Sequence, residues 1–340
     1  MLPFPVEYYA RETPAWQRWA GWLAKVLLFL VLSGLTLWAA GALYYDFPVT
    51  RLRTVAACAY PLIVLLAAIF AKPRLRIAVV LGCFALVLAW WLTVKPSNNR
   101  AWQPDVDRTA WAEIDGDRVT IHNVRNFDYR TTTDYTPQWE TRTFDLTQLR
   151  GVDLFVNYWG INFMAHPILS FQFGENDRVC MSIETRKTVG EKDSMIGGLY
   201  RQYELIYLVG DERDIVRLRT NCRKEDVYLY HLRMTPERAR TVFLEYVQRI
   251  NSLHTTPEFY NAITSNCTTN IRSQSGKVNP WDWRILLNGY ADKMMYERGG
   301  LAGDLPFNEL KKRARINQAA LDTGSSPDFS GIIREGRPGF

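Results

Sequence analysis

The chain has 340 residues, 47% of them hydrophobic and 12 of them Trp, which excludes a disordered protein and leaves room for one large domain or two ordinary ones. Its formal charge of +6 belongs to residues 1–95, with nine Lys/Arg against three Asp/Glu, while residues 96–340 hold 32 of each. The larger part is neutral, so composition gives no case for nucleic-acid binding.

Three uncharged apolar runs come first, at 26–45, 55–71 and 77–94. Each is near the length that crosses a bilayer core as a helix, so residues 1–94 are predicted to form three transmembrane helices. A cleaved signal peptide competes for the first run, because Lys25 precedes it, but explains only that run and leaves a hairpin of two. Trp16, Trp19 and Trp22 precede the first helix, Tyr44 and Tyr45 follow it, and Trp90 and Trp91 sit near the end of the third, as expected at membrane interfaces. Arg11, Arg18 and Lys25, with Lys72, Arg74 and Arg76 in the tight turn, mark the cytoplasmic side. The opposite side carries Arg51, Arg53, Lys95 and Arg100, so the bias is modest, but it sets residues 95–340 outside the cytoplasm.

Residues 95–110, with Pro96, Pro104 and two Asn, read as a linker. Residues 111–325 then form an α+β domain, strands first and helices second. Predicted strands are 118–124, 141–146, 152–158, 168–173, 178–185, 203–209, 215–220 and 227–232, arranged as an antiparallel meander. Residues 125–140 are polar and long for an ordered connection. Thr235-Pro236-Glu237 starts a helix whose apolar face is Val242, Phe243, Tyr246, Val247, Ile250 and Leu253. Further helices are expected from Cys267, over 281–296 and over 307–321, before a loosely held tail at 326–340.

Cys58 and Cys83 fall in membrane helices, which leaves Cys180, Cys222 and Cys267 in the outer domain. A Cys180–Cys222 bridge would leave Cys267 free. No spacing suggests a metal site, and no cofactor is implied. Cys267 follows the Ser265-Asn266 break, and a thiol in the first turn of a helix is biased toward thiolate by unpaired N–H groups and the helix dipole. A packed, inert thiol is the equal alternative on this local pattern.

A nucleophilic thiol needs a base and a group that orients the base. Of the four histidines, His231 and His254 end a strand and a helix, and His122 alternates within a strand. His166 begins the first hairpin, after the irregular stretch 159–165. A four-residue turn, Gly174 to Asp177, sets His166 opposite Thr185 and Glu184 opposite Pro167; a one-residue change in the turn sets His166 and Glu184 face to face. The competing explanation of Glu184 is a solvated pair with Arg186.

Ala-His-Pro-Ile-Leu-Ser-Phe around His166, Ser-Ile-Glu-Thr-Arg around Glu184, and Asn-Cys-Thr-Thr-Asn around Cys267 together resemble the Lnb N-terminal periplasmic domain family. The resemblance spans roughly residues 110–335 and takes in Asn126 to Tyr135. It implies a circularly permuted papain-like (NlpC/P60-type) thiol fold in the periplasm, anchored in the bacterial inner membrane. Catalytic residues would be Cys267, His166 and Glu184, with Asn266, Thr268, Tyr135 and Arg186 as oxyanion or substrate contacts. The implied activity is acyl transfer from a phospholipid to a lipoprotein through a Cys267 thioester. Cell-wall peptide or amide hydrolysis on the same fold is the second expectation, and a membrane-anchored binding domain without chemistry the third.

Overall fold

The computed structural model describes residues 14–264, 282–285 and 288–340. The chain divides into two compact units, Met1–Lys95 and Pro96–Phe340.

The first unit holds three helices, α1 (Ala15–Asp46), α2 (Arg53–Phe70) and α3 (Arg76–Thr93). All three are long and apolar enough to cross a membrane. They meet along a seam of Ala39, Tyr60 and Val64, and Trp38 packs edge-on against Phe84 and Trp91. Most other large apolar side chains point outward, such as Leu37, Phe70 and Leu86. An apolar exterior over a small internal seam is the pattern for lipid as solvent.

In the second unit the strands are β1 (Trp111–Asp115), β2 (Arg118–Arg125), β3 (Asp128–Tyr129), β4 (Tyr135–Thr136), β5 (Trp139–Asp145), β6 (Leu149–Tyr158), β7 (His166–Phe173), β8 (Asp177–Arg186), β9 (Glu204–Gly210) and β10 (Asp226–His231). The main sheet runs β1-β2-β9-β8-β7-β6-β10, with β5 paired to β2. It is mixed rather than wholly antiparallel as expected, because β2 and β9 pair in parallel at Arg125 and Gly210. The helices are α4 (Glu212–Arg217), α5 (Pro236–Thr255), α6 (Ala291–Glu297), α7 (Phe307–Ala314), α8 (Asn317–Thr323) and α9 (Phe329–Ile332).

Helix α5 starts at its Thr235 cap and packs Val242, Phe243, Tyr246, Val247 and Ile250 on one face of the sheet, as its periodicity predicts. The other face bears Phe155, Ile168, Cys180, Leu208, Val227 and Leu229, covered by Ile215, Val216, Ile316, Ala320, Phe329 and Ile333.

Five expectations fail for identifiable reasons. Residues 215–220 are helical, because the Asp211 side chain caps the Arg213 N–H, acidic residues fill the first turn, and α4 continues into a π turn over Leu218–Cys222. The helix expected over 307–321 breaks where Ile316 donates its N–H to Val227 and Arg315 bridges Tyr228. Within 281–296, only α6 and two 3-10 turns form among the described residues, because Gly289 donates to the Phe163 carbonyl. The tail is not loose: Phe329 and Ile333 are fully buried, and Arg334 pairs with Asp153 and Glu212 at 2.7 and 2.6 Å. The linker is likewise bound. Trp102, Val106 and Ala110 are buried, and Trp102 bridges Thr188.

Candidate functional site

The β7–β8 turn is one residue shorter than expected, Gly174 to Asn176, with Gly174 at φ 58° in the left-handed region open to glycine. Phe173 therefore faces Asp177 and Ile168 faces Ser182. Continued by two residues, this register sets His166 against Glu184. A one-residue slip exchanges the faces of a strand, so the shorter turn is what brings both side chains to the same side of the sheet.

His166 Nε2 lies 2.7 Å from Ser182 Oγ and 3.1 Å from Glu184 Oε1. Ser182 donates its hydroxyl to Glu184 Oε1 at 2.6 Å, and Arg219 Nη2 reaches the same oxygen at 2.6 Å. Arg219 is buried and also pairs with Glu225 at 3.1 Å. The donor count settles the tautomer. Ser182 has already given its proton to Glu184, so it accepts from the ring, and Nε2 carries hydrogen while Nδ1 is the basic nitrogen. Burial alone would raise the Glu184 carboxyl, but the charges of His166 and Arg219, with hydrogen bonds from His166 and Ser182, hold it well below its ordinary value of 4.5. The arrangement can fix an imidazole, keep a carboxylate ionised beside it and stabilise its charged form.

Ser182 and Arg219 are absent from the sequence reading. Ser182 lies two residues before Glu184 on one strand, a period-two signal that could have found it. Arg219 sits in the segment read as a strand, and its π turn has no comparable signal. Asn157 is a third residue of the row. It faces His166 across β6 and β7, is 1% exposed, and neither atom of its amide has a hydrogen-bond partner among the described residues.

Other expected residues lie elsewhere. Arg186 is buried and grips the linker, donating to Val106 O at 2.9 Å, Asn98 Oδ1 at 2.8 Å and Asp107 O at 2.7 Å, with its guanidinium 4.2 Å from the Trp102 ring centroid. Burial draws its pKa down to about 10. It pairs with the linker rather than with Glu184. Tyr135 lies in β4, stacked on Phe127 at 5.4 Å, in a cluster that includes Leu218 and Cys222 and so braces the π turn that carries Arg219. Cys180 and Cys222 are free thiols: Cys180 points into the core beneath α4, Cys222 joins the Tyr135 cluster, and the expected bridge is not formed.

Cys267, Asn266 and Thr268 lie outside the described residues, as does the helix expected from Cys267. The described chain on either side can be placed. Before them, Leu205 donates to Glu258, Tyr260 to Tyr203 and Ala262 to Gly198, along the start of β9. After them, Asn288 Oδ1 accepts the Ala165 N–H at 2.8 Å, one residue from His166. A Cβ on Gly289 would lie 2.4 Å from Asn162 O, so only glycine permits this approach. Both flanks are thus held at the end of the sheet that bears His166 and Glu184.

Residues 135–289 match the family model of the Lnb N-terminal periplasmic domain. The second unit carries an Lnb N-terminal periplasmic domain. The matched stretch contains His166, Ser182, Glu184, Arg219 and Cys267. With the three apolar helices, it makes the chain a membrane protein with a periplasmic domain. No curated protein and no solved structure matches the chain.

Proposed function

We propose that the Lnb domain of this protein is a thiol acyltransferase, with Cys267 as nucleophile, His166 as general base and acid, and Glu184 as the group that orients His166. One observation carries the reading: an imidazole anchored through Nε2 to a half-buried, Arg-backed carboxylate, at the end of the sheet where the chain around Cys267 leaves and returns. A base that becomes imidazolium gains from an adjacent carboxylate, and here that pair stands where the chain around Cys267 leaves and returns. The order His, Glu, Cys along the chain suits a circularly permuted papain-like fold.

In the first half-reaction, the Cys267 thiol gives its proton to His166 Nδ1 as sulfur attacks the carbonyl carbon of an acyl ester. The tetrahedral oxyanion would be met by backbone N–H groups near Cys267, with Asn266 beside them. Collapse breaks the ester C–O bond, the leaving alkoxide takes the proton from His166, and a thioester remains. In the second, an amine attacks the thioester, His166 accepts its proton, and the thiolate leaves and is reprotonated. The acyl donor fits a phospholipid and the acceptor a lipoprotein amine, since three membrane helices hold the domain where both reside.

Incubating the full chain with phospholipid and measuring intact mass tests this. A hydroxylamine-sensitive acyl adduct that is lost in Cys267→Ala is expected. No adduct, together with cleavage of cell-wall peptide, would replace transfer by hydrolysis. Full activity in Cys267→Ala would remove the thiol mechanism.

A further inference from the structure

The large apolar side chains that the second unit exposes are unevenly placed. Among the described residues, all except Ile114, Leu321 and Phe340 lie in or beside the two loops at the His166 end of the sheet. Trp159 (44% exposed) and Phe163 (45%) stand on the β6–β7 loop, Met195 (64%) and Ile196 (59%) on the β8–β9 loop, with Ile263 (57%) and Trp283 (52%) on the segments that flank Cys267. Soluble surfaces scatter such residues singly; a ring of them marks an interaction surface.

The ring is built rather than slack. In the β8–β9 loop, Tyr203 donates its hydroxyl to Lys192 O at 2.6 Å, and the Gly198 and Leu199 N–H groups are bonded to Ser194 and Ile196. The backbone is tied down while Met195 and Ile196 point outward. The Phe163 segment is held by the Gly289 N–H. Exposure here therefore accompanies an ordered backbone.

The connection to the membrane segment lands on this same end. Ser97 donates its N–H to Glu204 at 3.2 Å and Asn98 accepts from Arg186 at 2.8 Å, both at the strand ends beside the β8–β9 loop. Only Val94, Lys95 and Pro96 separate Ser97 from Thr93, the last residue of α3. Four residue steps span at most about 14 Å. The tether thus lands beside the apolar ring.

We infer that this ring is a membrane-docking surface, which seats the His166 end of the Lnb domain in the outer face of the bilayer that holds α1, α2 and α3. Trp159 and Trp283 have the amphipathic rings that favour the headgroup region, and Ile196, Met195, Phe163 and Ile263 supply apolar depth. Docking places the mouth of the site at acyl-chain level, so a phospholipid ester is reached without extracting the lipid. That use rests on the acyl-transfer reading; the docking itself does not.

The full chain, reconstituted in vesicles of phosphatidylethanolamine with a minority of phosphatidylglycerol, provides the test. A photo-reactive p-benzoylphenylalanine replaces Phe163, Ile196 or Trp283 in turn, and Ile114 or Leu321 as controls of similar exposure. Lipid adducts, read by mass after illumination, should exceed the controls by about tenfold or more at all three ring positions, as insertion at the interface requires. Equal yields at ring and control positions would overturn the inference. So would crosslinks from the ring to a second copy of the chain in place of lipid. Ring adducts in a chain that forms no thioester would leave the docking surface standing and remove the chemistry; a thioester without ring adducts would do the reverse.

Discussion

His166 and His231 stand on the same face of one sheet, toward opposite ends, in nearly the same company. His166 meets Glu184, backed by Arg219; His231 Nδ1 meets Asp153 at 2.7 Å, backed by Arg334. Exposure does not separate them in the intuitive direction, since the His231 side chain is 30% exposed and that of His166 only 9%. Their surroundings do. Arg334 comes from the C-terminal segment and joins Asp153 to Glu212, so the His231 cluster fastens the end of the chain to the sheet. Arg334 also lies beyond residues 135–289, the stretch shared with the Lnb family, whereas Arg219 lies within it. The same trio of histidine, carboxylate and arginine thus fastens the C-terminal segment at His231, whereas at His166 it stands where the chain around Cys267 leaves and returns.

The sharpest way to break this contrast is by activity. His166→Gln should lower acyl transfer by about a thousandfold, the usual scale of a lost general base, while His231→Gln stays within about threefold. Comparable losses in both would erase the distinction. Stability should show the reverse ranking. Arg334→Met leaves Asp153 and Glu212 buried with fewer partners and should cost about 3–5 kcal/mol in thermal unfolding of the detergent-solubilised chain.

The pH dependence separates the two ends of the same sheet further. The Glu184 carboxyl is held below 4.5 and that of Asp153 below 3.8 in the folded protein. Each contributes stability that is present above its ordinary value and lost only as pH falls through the lower folded one. Arg219→Met removes one of the charges that hold Glu184 down, so its activity should fail at a higher pH on the acid side than that of the parent. An unmoved acid limb would show that Glu184 does not govern His166. Glu204, where the linker lands, has the opposite sign: burial raises it to about 7 against the opposing Arg100 and Ser97 contacts. The folded state then binds the proton more tightly than the unfolded state, and stability falls as pH rises from about 4.5 to 7, by on the order of 2 kcal/mol. Glu204→Gln should flatten that slope in urea titrations.

The smallest effect is expected at Asn157. Its buried amide lacks partners among the described residues, so Asn157→Leu should stabilise the protein by about 1 kcal/mol. A loss of stability would show that the amide is satisfied in solution.

Much of this was legible before the fold was known. The three membrane helices, α5 and the β7–β8 hairpin announce themselves through long apolar runs, a 3.6-residue period and a Gly-Glu-Asn-Asp turn. His166 and Glu184 were legible as a pair because one strand follows the other directly. What escaped was set by tertiary partners. The register depended on whether the turn took three residues or four, a choice composition does not make. Ile215 to Thr220 has the β-branched, alternating look of a strand, but α4 covers the core below it instead. Arg186 was misread because its partners, Val106 and Asp107, sit about eighty residues earlier, on a linker that looked free. The tail at 326–340 was misread for the same reason, since the partners of Arg334 are Asp153 and Glu212.

The π turn at Leu218–Cys222 has one further consequence. Its Arg223 N–H reaches back five residues to Leu218, so this stretch is an α-helical turn carrying one surplus residue. An α-helix advances about 100° per residue, and deleting a single position ahead of Arg219, in α4 or at Leu218, would swing the following side chains around the axis by that angle. Arg219 would then leave Glu184 although no atom of His166, Ser182 or Glu184 had been touched. The cation behind the carboxylate is thus set by chain length as well as by residue type.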